Sequence, residues 1–342
     1  MLLKRRNFIK TAAASTIGLG LSSQTLSIQN NPTKILKAGI IGLDTSHSVA
    51  FTKVLNDPDV KDDLKGIKVV AAYPHGSKDI ESSVSRIPKY TEEIQAYGVE
   101  IVDSIEKLLN LVDVVLLETN DGRRHLEQAM MVFKAAKPVF IDKPIAASLS
   151  DTIAIFDAAE KYNVPVFSAS SLRYAKDAQA VRSGKKIGNV LGADTYSPAH
   201  LEETHPDFYW YGVHGVELLY TVMKTGCKTV KRSHTKDMDV VVGHWDGGRI
   251  GTFRGMRKGK LDYGGTAYGE NAISSVGPYD GYRPLVVEIV NFFKSGKPPV
   301  EAKETIEIFA FMEAADESKR QGGIEITLDY VMQKAMAGIK RN

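Results

Sequence analysis

The residues able to do chemistry collect where short apolar runs end. Gly39-Ile40-Ile41-Gly42-Leu43-Asp44-Thr45-Ser46-His47 closes one such run and enters an amphipathic segment, the place where a dinucleotide-binding loop sits in a βαβ unit. Against the pattern G-x-G-x-x-G, Gly42 supplies the first glycine, while Asp44 stands at the second and His47 at the third. The second glycine lets the backbone approach a diphosphate closely, so a carboxylate there brings bulk and negative charge to the positive end of a helix. The following run ends Val70-Ala71-Ala72-Tyr73-Pro74-His75-Gly76 and offers no Asp or Glu to hold a ribose hydroxyl. Two readings follow. The loop is re-made, with Asp44, Thr45, Ser46 and His47 facing a ligand and His75 or Ser77 taking a 2′-phosphate; or Asp44 or Ser46 caps the helix. Capping is the expected role for Ser46, and Asp44 stays open between the two.

Those residues need a frame. From Lys34 short apolar runs alternate with longer amphipathic segments, the pattern of βαβ units. Strands are predicted at 37–43, 68–73, 113–118, 138–141 and 165–168, and helices at 46–56, 79–97, 104–109, 123–136 and 150–162, with Ser104 and Ser150 as N-caps. After Leu172 the rhythm changes. A helix at 177–183 is followed by strands at 190–196, 228–233, 238–245 and 249–256 with turns at Asp246-Gly247-Gly248 and Gly264-Gly265; helical periodicity returns at 209–224, 282–295 and 302–321. The predicted class is α/β: an N-terminal Rossmann-like, doubly wound parallel sheet over 32–170, and a C-terminal α+β domain with a mainly antiparallel sheet over 171–342, for substrate and self-association. The ligand crevice then lies at the carboxyl ends of the parallel strands.

Bulk properties exclude several classes. The 342 residues are 25% charged and 43% hydrophobic, and the net charge of +3 arises from 44 basic and 41 acidic residues that are interspersed, so no nucleic-acid footprint exists. Cys227 is the single cysteine, which rules out an intramolecular disulfide or a thiolate metal cluster; no metal is expected. Residues 1–31 read as a leader: Lys4-Arg5-Arg6-Asn7-Phe8-Ile9-Lys10 precedes an apolar stretch too short for the ~20 residues of a membrane span. The arginine pair resembles a twin-arginine export signal, which carries folded proteins to the periplasm; an ordinary signal is the alternative, and retention at the membrane through an uncleaved leader stays open.

Leu116-Leu117-Glu118-Thr119-Asn120, then His125, then Lys137-Pro138-Val139-Phe140-Ile141-Asp142-Lys143-Pro144 resembles the Gfo/Idh/MocA family, named for glucose-fructose oxidoreductase and inositol dehydrogenase. The family's Glu-Lys-Pro is here Asp142-Lys143-Pro144. Similarity continues through Arg173-Tyr174, Ile187-Gly188, the helix holding His214, and Pro299-Val300-Glu301 leading to Glu313-Ala314-Ala315. The resemblance implies hydride transfer between a tightly bound NAD or NADP and a sugar or cyclitol-like substrate in a homo-oligomer. It assigns Lys143 to polarise the hydroxyl and His214 to act as acid or base. Gly42, Asp44, Thr45, Ser46, His47, Tyr73, Thr119, Asn120, His125 and Lys143 then fall to the cofactor, and Arg173, Tyr174 and Trp210 to the substrate. Trp210 occupies the place of the family's Asp four residues before the histidine. Asp207 and Tyr211 share a helical stripe with His214 and can stand in; Tyr209, Trp210 and Tyr211 can instead form an aromatic platform, or merely pack. The packing alternatives for Lys143 and His214 are a surface lysine before a turn and a core histidine. A lyase, hydratase or glycoside-cleaving enzyme, or a non-catalytic carbohydrate-binding relative, competes with the redox reading.

Overall fold

The computed structural model describes residues 35–339, so the basic leader lies outside the described residues. Six parallel strands, β1 Leu36–Ile41, β2 Ile67–Tyr73, β3 Glu100–Ile101, β4 Val114–Leu117, β5 Val139–Ile141 and β6 Val166–Phe167, form one sheet in the order β3-β2-β1-β4-β5-β6. β4 and β5 are buried along their whole length, as Val/Leu/Ile strands covered on both faces must be. Strand order reverses between β1 and β4, which places the ligand crevice at their carboxyl ends.

The crossovers carry α1 Ser46–Leu55, α2 Glu81–Val84, α3 Ile87–Gln95, α4 Ile105–Leu111, α5 His125–Lys134 and α6 Leu149–Lys161. The single helix expected at 79–97 is two, because Pro88 has no N–H to give to a helix interior and falls in the first turn of α3 instead. Ser104 caps α4 through Lys107 N at 3.2 Å. The cap of α6 is Ser148, whose hydroxyl accepts from Asp151 N at 3.0 Å; Ser150, the expected cap, donates to Ala335 O.

The second sheet is built from β7 Val190–Pro198, β8 Cys227–His234, β9 Met238–Trp245, β10 Arg249–Met256, β11 Gly264–Gly269, β12 Ile273–Val276 and β13 Ile326–Thr327, in the order β12-β11-β7-β10-β9-β8-β13. Only β7 and β10 run parallel; the remaining pairs are antiparallel. Gly264-Gly265, expected as a turn, opens β11: a Cβ on Gly265 would stand 2.3 Å from Asp194 O, so the pair serves close strand approach. With this sheet come α7 Lys176–Arg182, α8 Asp207–Trp210, α9 Val213–Met223, α10 Arg283–Ser295, α11 Ala302–Arg320 and α12 Leu328–Ile339. The helix expected over 209–224 is interrupted at Tyr211-Gly212, between α8 and α9. Among the described residues no helix is long and apolar enough to cross a membrane.

One helix leaves its expected half. Leu285, Val286, Ile289 and Phe292 of α10 pack with Ala38, Ile40, Phe51 and Phe140 in one buried cluster. A face of the parallel sheet is thus covered by chain from well beyond residue 171.

Gly42 leaves β1 at φ 91°, where a Cβ would meet Thr119 N and Cα at 2.6 Å. Gly42→Ala combines a left-handed backbone cost with overpacking and is expected to destabilise by about 2–5 kcal/mol. Calorimetry would show it as a lower melting temperature, and an unchanged value would refute this close approach.

Candidate active site

A cavity of about 350 Å³ opens at the carboxyl ends of the parallel strands, within the ~300–1,000 Å³ typical of ligand sites. Thr45, Ser46 and His47 reach it from the start of α1, Asn120 from the loop after β4, and Lys143 from the loop after β5. Trp210, Tyr211 and His214 close it from the α8–α9 turn, with Tyr263, Tyr279 and Tyr282 beside them and Ser82, Arg86 and Tyr90 on the α2–α3 side. None of its lining residues is an Asp or Glu.

Charged groups lie beneath the cavity, behind its lining. Asp142 Oδ2 meets His47 Nδ1 at 2.8 Å and lies 3.9 Å from Lys143 Nζ. Burial opposes ionisation of Asp142, yet the neighbouring His47 and Lys143 outweigh it and hold the carboxyl below the usual carboxylate range. Glu118, at the end of β4, is fully buried, and burial followed by the Asp142 charge pushes its carboxyl well above that range. His47 stacks on Phe51 and meets Tyr282 edge-on, which fixes its ring.

The opposite wall is set by His214, whose Nδ1 lies 2.7 Å from Ser170 Oγ. Burial first, then the charge of Lys143, pushes the imidazole well below its ordinary pKa, so the ring is neutral at pH 7. Tyr211 and His214 pack edge to face, and the Tyr263 hydroxyl donates to Tyr211 Oη at 3.1 Å. Burial and that bond hold the Tyr263 hydroxyl protonated.

The structure therefore brings together Thr45, Ser46, His47, Asn120, Lys143, Trp210, Tyr211 and His214. Others stand apart. The helix cap is Thr45, whose hydroxyl accepts from His47 N at 3.4 Å, while exposed Ser46 lines the cavity. Asp44 neither caps nor faces the cavity: fully buried, its carboxylate accepts from Ser77 N at 2.7 Å and Asn120 N at 3.0 Å and clasps the loops after β2 and β4. Gly42 and Thr119 pack against one another behind that loop. His125 is a buried tie, its ring nitrogens 2.6 Å from Thr119 O and 3.1 Å from Ile145 O, joining the loops that carry Asn120 and Lys143. Tyr73 lines a separate hollow beside Ser104 and Arg124.

The substrate and acid–base assignments need similar correction. Arg173 is 2% exposed and bonded to Glu217 Oε1 and Glu304 Oε1 at 2.7 Å each. Its guanidinium is an internal strut. Tyr174 packs against the cluster under α10. Asp207 turns to Arg232 and Lys319, each at 2.6 Å; the helix ends at Trp210, so the stripe linking Asp207 to His214 does not form. Lining residues missed in the sequence are Arg86 and the tyrosines at 90, 263, 279 and 282; Ser170 beside His214 and Glu118 beneath the cavity were missed as well. The tyrosines come from segments with no shared motif, and Glu118 sat in plain view as a carboxyl ending a wholly apolar strand.

Residues 36–170 match the family described as an oxidoreductase family with an NAD-binding Rossmann fold, GFO_IDH_MocA. No curated protein matches the chain. Among solved structures, a probable dehydrogenase from Thermotoga maritima shares 18% identity at a TM-score of 0.70, over 86% of this chain and 100% of that one. The myo-inositol 2-dehydrogenase from Lactobacillus plantarum shares 16% at 0.70, over 86% and 99%. The myo-inositol dehydrogenase from Lactobacillus casei, solved with NAD(H) and myo-inositol, shares 14% at 0.67, over 86% and 96%. At these identities the likeness is one of fold.

Arg173→Leu would leave Glu217 and Glu304 without their shared cation, and losses from breaking such buried pairs run to about 3–5 kcal/mol. Urea denaturation should show that loss. Undiminished stability would return Arg173 to the candidates for substrate contact.

Proposed function

We propose that this chain, whose residues 36–170 match the Gfo/Idh/MocA oxidoreductase family model, transfers a hydride between a tightly held NAD or NADP and a sugar or cyclitol-like substrate. One observation carries this reading: a single cavity, at the point where strand order reverses, joins Lys143 and His214 to a wall of Trp210 and tyrosines.

The donor set fits the nicotinamide and diphosphate end of such a cofactor. The N-terminus of α1 opens on the cavity through Thr45 and Ser46, and no lining carboxylate repels an anion. Thr45, Ser46, Asn120 and Lys143 would hold it there; the adenosine end, without an acid near Tyr73, falls to other groups. When bound, the nicotinamide accepts or gives the hydride.

The protein's own part is binding, orientation and proton handling. Lys143 donates a hydrogen bond to the substrate oxygen and stabilises the charge that develops as its proton leaves. His214, neutral and positioned by Ser170, takes that proton on the ring nitrogen left free, or returns it in the reverse direction. Trp210 and the tyrosines give apolar faces for a sugar ring, and the tyrosine hydroxyls offer hydrogen bonds to its oxygens. The leader supports export to the periplasm, and the exposed Leu191, Tyr196, Ile250, Tyr268 and Ile273 of the second sheet support self-association.

A second reading, a lyase or hydratase without hydride transfer, is favoured by His47, which stands at the third glycine position and is bonded to Asp142. Mass spectrometry of small molecules released on denaturation separates the two. Stoichiometric dinucleotide supports the redox reading; none released, with no rise in melting temperature on adding NAD(H) or NADP(H), removes it.

His214→Ala and Lys143→Ala are each expected to lower kcat/KM by about 10²–10⁴-fold. Steady-state turnover with a panel of polyols checks this, and full activity in either variant removes that residue from the reaction.

A further inference from the structure

Beneath the cavity lies a group that hydride transfer does not use. Glu118, 0% exposed, has no hydrogen-bond partner on either carboxylate oxygen. Asp142, also 0% exposed, meets His47 with Oδ2, while its Oδ1 has no partner. One ligand atom from each of His47, Glu118 and Asp142 lies within 4.8 Å of the other two. Buried polar atoms in folded proteins are almost always satisfied, and an unsatisfied carboxyl leaves its desolvation uncompensated. Three unpartnered carboxyl oxygens lie around one imidazole, and a cation that takes the place of the Glu118 proton would satisfy them.

We propose a divalent-cation site beneath the cavity, ligated by His47, Glu118 and Asp142 and suited to Zn²⁺ or Mn²⁺. One imidazole nitrogen with two carboxylates is a borderline donor set that these ions accept, whereas Mg²⁺ favours oxygen ligands and retained water. At ~2.0–2.2 Å from a tetrahedral ion two ligand atoms stand about 3.4 Å apart, so the group, whose atoms now lie within 4.8 Å of one another, closes by up to about an ångström through side-chain torsions, and the His47–Asp142 hydrogen bond gives way to the ion. The two carboxylates neutralise the ion's charge. Three protein ligands leave a position for a substrate oxygen beside Lys143, since His47 and Lys143 both line the cavity. An ion there polarises the substrate hydroxyl as a Lewis acid. The site stands apart from the redox reading, because metal content is measured without cofactor or substrate.

The full chain, purified without chelator, is analysed for metals by inductively coupled plasma mass spectrometry, then stripped with EDTA and titrated with ZnCl₂, MnCl₂ and MgCl₂ while its melting temperature is followed. The expected result is about one equivalent of zinc or manganese per chain, or a melting temperature in the stripped protein that rises and saturates at one equivalent of either ion. Glu118→Gln keeps the side chain's shape and should weaken binding at least about tenfold, with Asp142→Asn as a second variant should the first fail to fold. No bound ion together with no shift from zinc or manganese overturns the proposal. So does a response to magnesium alone, or undiminished binding by the folded variants, which would put the ion elsewhere.

Discussion

Arg173 is held between Glu217 and Glu304 where none of the three charges is open to water. Such an arrangement survives only when its geometry compensates each lost hydration shell, and the compensation here extends further. The second oxygen of Glu217 accepts from Ser170 N at 2.7 Å, and Ser170 Oγ lies against His214. Glu304 also takes Arg182, which in turn donates to the carbonyl of Thr221 near the end of α9. One guanidinium therefore aligns the exit of the parallel sheet with α9 and α11, and the position of the His214 ring follows from it.

The same device recurs. Arg232, 1% exposed, gathers Asp207, Asp239 and Asp316 and lies over the Phe208 ring, pinning α8 and α11 to the second sheet. Asp44 performs the anionic counterpart with two backbone amides. Each ties elements distant in sequence, so the cavity is bounded by loops that are themselves anchored from behind. A fingerprint loop uses glycines so that a ligand can come close; this chain has placed a carboxylate there and drawn two of its own loops together.

Strands β9 and β10 were legible residue for residue, because alternation and the Asp246-Gly247-Gly248 turn leave little choice. That Lys143 and His214 line one cavity was legible through local motifs. Arg173 was misread for a reason of distance: its partners lie 44 and 131 positions away, and nothing local separates an arginine that grips a ligand from one that grips the fold. Asp207 was misread because helical spacing was extended across Tyr211-Gly212, where the helix stops. Strand β3 and cap Ser148 turn on two residues or on one hydrogen bond, below the reach of periodicity.

The packing of α10 bears on how the molecule can be taken apart. Residues 36–170 carry the family likeness, yet one side of their sheet is sealed by a helix encoded more than a hundred residues later. Cut at residue 170, the fragment would present Ile40, Phe51, Phe140 and Phe167 as an open oily face. The Rossmann-like half is thus a module in sequence likeness but not in assembly, and a ribosome must pass residue 292 before that half can close.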